Sequence, residues 1–428
     1  MEEEDGAARR FMGSLLQDLP LQVSTQSRLV SRGEAEGELN EAVLRLLRSR
    51  GAPLQLAACL THAVVQQTLQ SDLSPFVEKN DAQTIDEETQ EDAMKDELLS
   101  TDSLLHRCLT YLKELSGQWQ KQLPSLMPQK RQFCISTHAI RNTRRKMEDR
   151  HVVLLEFNQL FGIKDGVERA YFAVFDGHGG MDAANYAATH VHVMVARHEL
   201  LAQDPAQALK ESFQLTDAMF LRKAKRERLR SGTTGVCALL EGDQLHVAWL
   251  GDSQALLVQQ GIHVSLMDPH KPEREDERQR IESLGGCVAY MGCWRVNGTL
   301  AVSRAIGDID QKPYVSSEGD VVSRALSGSD DFLVLACDGF FDTISLQEVP
   351  GLVLGHLQEH KGDGQRVAER LVAAAKDGGS ADNITVLVVF LRHPRSVLED
   401  YLAQGSVEGE PLFDFGAEDV EAASDHAG

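Results

Sequence analysis

The stretch Phe175-Asp176-Gly177-His178-Gly179-Gly180 follows directly on an apolar run at residues 170–175. An apolar run of this length that ends in Asp-Gly is typical of a strand that delivers a carboxylate into a turn. The glycine leaves its backbone carbonyl open to a ligand, so Asp176 and Gly177 form a candidate oxygen pair for a hard divalent cation. For any single motif of this kind, a plain turn without a ligand is the alternative interpretation.

The same design recurs at four other places in the chain. A carboxylate stands beside small or turn-forming residues in Met147-Glu148-Asp149, Gly251-Asp252-Ser253, Cys337-Asp338-Gly339 and Asp382-Asn383. Five such motifs, together with an arginine and a histidine, favour one joint site over five unrelated turns. Oxygen ligands suit Mg²⁺ or Mn²⁺ better than Zn²⁺.

Residues 131–395 carry the pattern of a layered α+β domain. Short β-rich runs predict strands at 151–157, 170–175, 233–240, 245–250, 255–258, 332–336 and 384–391. Longer periodic segments predict helices at about 181–199, 205–230, 273–284, 345–359 and 365–377. Turn residues at 242–243 and 251–253 join consecutive strands, which favours antiparallel hairpins over a doubly wound parallel sheet.

The flanking segments differ from this domain. Residues 1–130 predict a helical extension, with two amphipathic helices within 34–70, a third at 103–122, and an acidic linker at about 81–97. The apolar stripes of residues 39–69 fit either the core of a helical hairpin or a docking groove for partners. Residues 396–428 are acidic and weakly periodic, and they predict a disordered tail.

The bulk composition excludes several classes of function. The net charge is −22, which argues against a nucleic-acid binder or a binder of anionic membranes. Seven cysteines without a Cys-x-x-Cys pair predict a reduced protein of the cytoplasm, with the nucleus as a second candidate location. No signal peptide and no membrane-spanning run are predicted. One basic run, residues 222–230, fits a docking patch, a nuclear-import signal or a solvated helix face.

Seven motifs occur in the order seen in the metal-dependent (type 2C) protein serine/threonine phosphatases, which the chain resembles over about residues 135–393. They lie at residues 144–149, 175–180, 231–234, 251–253, 300–308, 336–339 and 382–385. Within the family, residues 137–151 and 170–192 look most like the calcium/calmodulin-dependent protein kinase phosphatases. The resemblance implies a central β-sandwich of two antiparallel sheets flanked by helices, in four layers.

The resemblance also implies a set of site residues and two Mn²⁺ or Mg²⁺ ions, with a weaker third. The carried-over positions are Asp176 as the bridge between two ions, Asp338 and Asp382 for one ion, Glu148 and the carbonyl of Gly177 for the other, Asp252 and Asp342 for the third, Arg144 for the phosphate, and His178 for protonation of the leaving group.

The expected reaction is in-line hydrolysis of phosphoserine and phosphothreonine by a bridging water that the ion pair activates. The implied substrates are phosphorylated proteins, among them protein kinases such as the calmodulin-dependent kinases. A tyrosine phosphatase would need a Cys-x5-Arg loop, which the sequence lacks. The alternative is a catalytically silent scaffold that acts through its N-terminal helices, where further partners could dock.

Overall fold

The computed structural model describes residues 2–17, 23–78, 97–125 and 131–408. The described residues of the N-terminal part form four α-helices and one short antiparallel strand pair. The helices are α1 (Glu2–Gln17), α2 (Arg32–Ser49), α3 (Leu54–Leu69) and α4 (Thr101–Lys121), and the strands are β1 (Leu29–Ser31) and β2 (Leu98–Ser100).

Two five-stranded antiparallel sheets follow. The first has the order β11 (Ile262–Ser265), β10 (Gln254–Gln259), β16 (Asp330–Ala336), β17 (Ile384–Phe390) and β3 (Cys134–Ile140). The second has the order β15 (Asp320–Ala325), β9 (Gln244–Leu250), β8 (Gly235–Glu241), β5 (Arg169–Phe175) and β4 (Arg150–Leu154). Smaller pairings join β14 (Ile306–Gly307), β7 (Gly232–Thr233) and β6 (Gly177–His178), and β12 (Val288–Tyr290) with β13 (Trp294–Val296).

Eight α-helices lie within residues 131–408, and most of them cover the outer faces of the two sheets. In chain order they are α5 (Phe157–Phe161), α6 (Asp182–Arg197), α7 (Pro205–Glu227), α8 (Glu275–Ser283), α9 (Asp338–Phe341), α10 (Glu348–Glu359), α11 (Val367–Asp377) and α12 (Pro394–Glu408). The five helices predicted between residues 181 and 377 are confirmed, and each end lies within three residues of its predicted place.

The four layers follow from the alternation of side chains along the strands. Alternate residues point into the core between the sheets and into a core between a sheet and its helices. In β5, Phe172 and Val174 point into the core between the sheets, whereas Tyr171 and Phe175 pack against helices. β16 behaves in the same way, with its alternate residues divided between the inter-sheet core and the core under α10 and α11. A strand buried on both faces requires cover on both sides. The predicted four-layer sandwich is confirmed.

The N-terminal helices share a core with the second sheet. Leu39 and Val64 belong to the same buried cluster as Phe161 and Tyr171, and all four side chains are almost fully buried. The apolar stripes of α2 and α3 therefore pack against the rest of the chain, and these buried positions do not form an open groove.

The basic run takes part in the same contact. Lys223 donates to Ser27 Oγ at 3.0 Å, and the Arg226 guanidinium lies 3.9 Å from Glu34. Glu34, in turn, accepts a hydrogen bond of 3.0 Å from the Tyr186 hydroxyl. Lys223 thus contacts the segment before β1 and Arg226 contacts α2, so at least these two cations do not form a solvated face.

Three expectations need correction. The turn at residues 251–253 does not close a hairpin, because β9 and β10 lie in different sheets and the chain crosses between them there. The strand predicted at 151–157 ends at Leu154, and α5 begins at Phe157. Disorder from residue 396 is wrong for residues 396–408, since α12 packs Val397 onto the first sheet's helices. Residues 81–96 of the acidic linker and residues 409–428 of the tail lie outside the described residues.

Candidate active site

One end of the sandwich holds a pocket of about 620 Å³. The pocket results from the register of two strand pairs. Arg150 of β4 pairs with Phe175 of β5, so the loop after β5 lies beside the loop before β4. Ala336 of β16 pairs with Val386 of β17, so the loop after β16 lies beside the loop before β17. Eight of the nine predicted site residues line this pocket: Arg144, Glu148, Asp176, Gly177, His178, Asp252, Asp338 and Asp382. The ninth, Asp342, lies outside the lining, and its carboxylate is 3.4 Å from the Lys271 ammonium.

Two glycines allow the loops to approach this closely. A Cβ on Gly177 would lie 2.6 Å from the Glu148 carbonyl oxygen, and one on Gly339 would overlap the Asn383 carbonyl oxygen. Any larger residue would push the carboxylate-bearing segments apart. The glycines beside Asp176 and Asp338 therefore serve the packing of the site as well as its turns.

The carboxylates at the floor of the pocket are forced together. Burial, followed by the charges of Asp338 and Asp149, raises the pKa of Asp176 well above its usual value. Burial also raises the pKa of Asp338, and it raises the pKa of Asp252 to about 7. Carboxylates that are buried side by side at this cost are the usual mark of a cation site, because a divalent cation removes the repulsion.

Asp149 belongs to this cluster, although the sequence reasoning assigned it no role. One of its oxygens accepts a 2.7 Å hydrogen bond from Thr385 Oγ1, while the other is buried and has no partner among the described residues. Potential ligand atoms of Asp149, Asp176 and Cys337 lie within 4.8 Å of one another. Burial raises the pKa of the Cys337 thiol well above its usual value, which leaves carboxylate oxygens as the donors. An oxygen donor set with an orphaned oxygen fits Mg²⁺ or Mn²⁺.

Asn383 organises the loop that carries two predicted site residues. Its side-chain oxygen accepts a 2.8 Å hydrogen bond from the Glu148 amide, and its Nδ2 donates to the carbonyls of Arg141 and Lys146 at 2.8 and 3.0 Å. The amide thus holds the segment between Arg144 and Glu148 against β17.

The mouth of the pocket is basic. Arg144 is largely exposed, and its Nη2 lies 2.5 Å from Asp382 Oδ2. Arg145, Lys146 and Arg295 line the same mouth. Arg295 belongs to the β12–β13 hairpin. In this hairpin the ring of Trp294 packs edge-on against the ring of Tyr290, with 5.4 Å between the ring centroids. An acidic floor under a cationic rim suits a phosphate that enters toward bound cations.

His178 faces an acidic partner that the sequence reasoning did not assign. Its Nε2 lies 2.8 Å from Asp308 Oδ2. Burial alone lowers the pKa of His178, but the hydrogen bond and the charge of Asp308 outweigh burial and raise it above its usual value. Asp308 itself has a left-handed backbone, with a φ of 50°. The arrangement favours an imidazole that carries a proton to donate.

The sandwich, the carboxylate floor and the basic rim together define a metal-dependent phosphatase. The chain matches the Protein phosphatase 2C family over residues 134–384, and it belongs to that family. It is accordingly a metal-dependent protein serine/threonine phosphatase.

Relatives extend beyond the family match. The chain is 57% identical to human Protein phosphatase 1F over 412 residues, which cover 94% of this chain and 90% of the relative. It is 48% identical to mouse Protein phosphatase 1E, over 92% of this chain and 51% of that longer relative.

Solved structures share the fold. A C. elegans sex determining protein matches 92% of this chain and 95% of its own with a TM-score of 0.68 at 22% identity. A Toxoplasma gondii serine-threonine phosphatase 2C matches 61% of this chain and 95% of its own, with a TM-score of 0.53 at 23% identity. Within the described ranges, none of the helices has the length and apolar character needed to span a bilayer.

Proposed function

We propose that the pocket hydrolyses phosphoserine and phosphothreonine in proteins with the help of two Mn²⁺ or Mg²⁺ ions. The observation that carries this proposal is the convergence of eight predicted residues from separate loops on one pocket. The ions would be held by Asp176, Asp338 and Asp382 on one side and by Glu148 and the Gly177 carbonyl on the other. Asp252 and Asp342 would serve a weaker third position, and Asp149 supports the cluster with its free oxygen.

The bound ions would supply a nucleophilic water of lowered pKa and neutralise charge on the phosphate. Arg144, at the exposed mouth, would leave Asp382 and bind two phosphate oxygens with its planar guanidinium. His178 would donate its proton to the departing serine or threonine oxygen, which leaves poorly as an alkoxide. Asp308 would hold the imidazole in place and favour its protonated form.

The substrate class follows from the basic mouth and from the family resemblance. We infer phosphorylated proteins, among them protein kinases such as the calmodulin-dependent kinases. A scaffold without activity is the rival function, and the eight predicted residues that line the pocket speak against it. The N-terminal helices bury most of their apolar stripes, so docking of partners would have to use other surfaces of these helices.

The test is hydrolysis of a phosphoserine peptide and of a phosphorylated kinase by the purified protein. We expect turnover that requires added Mn²⁺ or Mg²⁺ and that stops with EDTA, because the nucleophile depends on the ions. Full turnover in chelator-treated buffer would exclude the mechanism. No turnover of any phosphoprotein at saturating metal would favour the scaffold.

A further inference from the structure

His270 is fully buried and joins two segments that form the wall of the active-site pocket. Its backbone amide donates to the Gly251 carbonyl at 2.8 Å. Its carbonyl accepts hydrogen bonds from the amide and the hydroxyl of Ser303 at 3.1 and 3.0 Å. Asp252, directly after Gly251, lines the pocket, and so do residues 300–302, directly before Ser303.

The two ring nitrogens of His270 have different partners. Nδ1 lies 3.2 Å from the amide nitrogen of Gly251, and Nε2 lies 3.0 Å from Asp320 Oδ2. Because the backbone N–H of Gly251 is a donor, Nδ1 has to accept, and the ring proton is therefore on Nε2, which donates to Asp320. Burial lowers the pKa of His270, which favours the neutral ring that this arrangement requires.

Asp320 keeps the ring proton on Nε2. It opens β15 and lies outside the pocket lining. The hydrogen bond with His270, together with the charges of Arg304 and Arg274, lowers the pKa of Asp320 to about 2. The ionised carboxylate can only accept, and its Oδ1 also lies 3.3 Å from Arg304 Nη1. This fixed carboxylate determines which nitrogen of His270 faces Gly251.

Gly251 needs such support because of its own backbone. It has a φ of 89°, in the left-handed region, and a Cβ at this residue would lie 2.5 Å from the Thr234 side chain. Glycine adopts this conformation without strain, but it is also the residue with the most conformational freedom. The hydrogen bonds with His270 therefore supply the rigidity that a glycine next to Asp252 lacks.

We propose that His270 is a positioning residue for Asp252: its Nδ1 fixes the Gly251 amide and thereby holds the Asp252 carboxylate at the floor of the pocket, ready for a divalent cation. This role rests on the proposed function, in which Asp252 serves the weaker ion position. If His270 only stabilised the fold, its replacement would lower Tm without changing the affinity for Mn²⁺.

Two substitutions separate the contacts of the ring. In His270→Asn, the side-chain oxygen takes the place of Nδ1 and accepts from the Gly251 amide, whereas the contact with Asp320 is lost. In His270→Gln, the longer side chain reaches the place of Nε2 and donates to Asp320, whereas the Gly251 amide loses its acceptor. The backbone hydrogen bonds of residue 270 remain in both variants.

The measurement is isothermal titration of Mn²⁺ into the full chain, prepared without metal, together with thermal melting in EDTA. We expect His270→Gln to weaken Mn²⁺ binding at the lower-affinity site by about 10- to 100-fold, the usual scale for residues that orient a metal ligand. His270→Asn should weaken it by less than about threefold, because the acceptor for the Gly251 amide is kept. Both variants should melt below the parent.

His246→Gln is the matched control. His246 is 7% exposed, its Nδ1 lies 2.8 Å from Ser323 Oγ between β9 and β15, and it lies outside the pocket lining. This variant should lower Tm and bind Mn²⁺ as the parent does. Asp252→Asn changes the ligand itself and should remove the lower-affinity site.

The ring tautomer is measured on the parent without ions. A long-range ¹H–¹⁵N correlation in EDTA should show one imidazole, absent from the spectra of the His270 variants, that carries its proton on Nε2. A proton on Nδ1, or on both nitrogens, would overturn the proposal.

An unchanged Mn²⁺ affinity in His270→Gln would also overturn the positioning role, and so would equal losses in His270→Asn and His270→Gln. If Asp252→Asn loses the lower-affinity site while His270→Gln retains it, the proposed function stands and the role of His270 alone is wrong. If Asp252→Asn binds Mn²⁺ as the parent does, the ion position assigned to Asp252 is wrong, and the role of His270 with it.

Discussion

Asp308 Oδ2 lies 2.8 Å from His178 Nε2, and this contact depends on the absence of a side chain at residue 232. A Cβ on Gly232 would overlap both atoms. Gly232 of β7 pairs with His178 of β6 and with Gly307 of β14, so the His178–Asp308 contact forms where β7 has no side chain.

Asp308→Asn should slow hydrolysis of a phosphoserine peptide by about 10- to 100-fold and change hydrolysis of an aryl phosphate by less than about threefold. The amide keeps the size of the side chain but removes the charge that favours a protonated imidazole. An aryl oxide leaves without an acid, whereas a serine alkoxide does not. Steady-state kcat on both substrates is the measurement, and His178→Ala should show the same pattern. Equal losses on both substrates would count against His178 as the acid.

Asp338→Ala should reduce activity by at least about 100-fold, the scale of losing one catalytic electrostatic contact. In EDTA the variant should melt no lower than the parent, because burial and neighbouring carboxylates already raise the pKa of Asp338 and its removal relieves repulsion. Melting curves with and without Mn²⁺ provide the check. The parent should gain stability from Mn²⁺ and the variant should gain less. Retained turnover would remove Asp338 from the proposed ligand set.

Leu39→Ala should lower the free energy of unfolding by about 2–5 kcal/mol, since this side chain is fully buried in the core that α2 shares with the second sheet. Leu54→Ala is the matched control, because Leu54 is 48% exposed at the start of α3. The control should cost less than about 0.5 kcal/mol. Denaturant unfolding separates the two variants. A small effect at Leu39 would mean that the N-terminal helices are not part of the catalytic core.

His192→Phe should flatten the acid side of the stability profile. Burial, then the neighbouring His190, lowers the pKa of His192 to about 3, and its ring packs on those of Phe161 and Tyr171. In the unfolded chain the imidazole takes up a proton near its ordinary pKa of about 6.5. Between these values the unfolded state binds more protons, so stability falls as the pH falls from about 6.5 to about 3.

Phenylalanine removes this contribution, which amounts to at most about 1.4 kcal/mol per pH unit. The measurement is the free energy of unfolding in EDTA at several pH values in this range. His106→Phe, at an exposed position of α4, serves as the control. An unchanged slope in His192→Phe would show that His192 is already solvated or charged in the folded protein.

Local patterns were sufficient for the main strands and helices. The alternation in β5 and β16 and the periodicity of α6, α7 and α11 are strong because each element is buried on a defined face. β3 escaped prediction because its sequence mixes polar and apolar residues and only one of its seven residues is buried. The crossing at residues 251–253 could not be predicted, since a turn sequence does not state which sheet receives the next strand.

The site was predictable as far as its motifs reach. The sequence predicts site residues where a carboxylate follows an apolar run and precedes a turn residue, as Asp176 does before Gly177. The assignments that were missed depend on contacts between distant parts of the chain. Thr385 and Asp149 are 236 residues apart, Asn383 and Glu148 are 235 apart, and His178 and Asp308 are 130 apart. No local spacing encodes such partners, because strand register creates them.

The carboxylates of the pocket come from both halves of the sandwich. Asp176 extends from β5 in the second sheet, and Asp338 follows β16 in the first. A cation held by both would therefore act as a cross-link at the seam between the sheets, much as a disulfide ties two distant segments. Withdrawal of the ion would then free the ends of both strands to separate. On this basis the concentration of Mn²⁺ or Mg²⁺ would determine the stability of the folded protein as well as its catalytic rate.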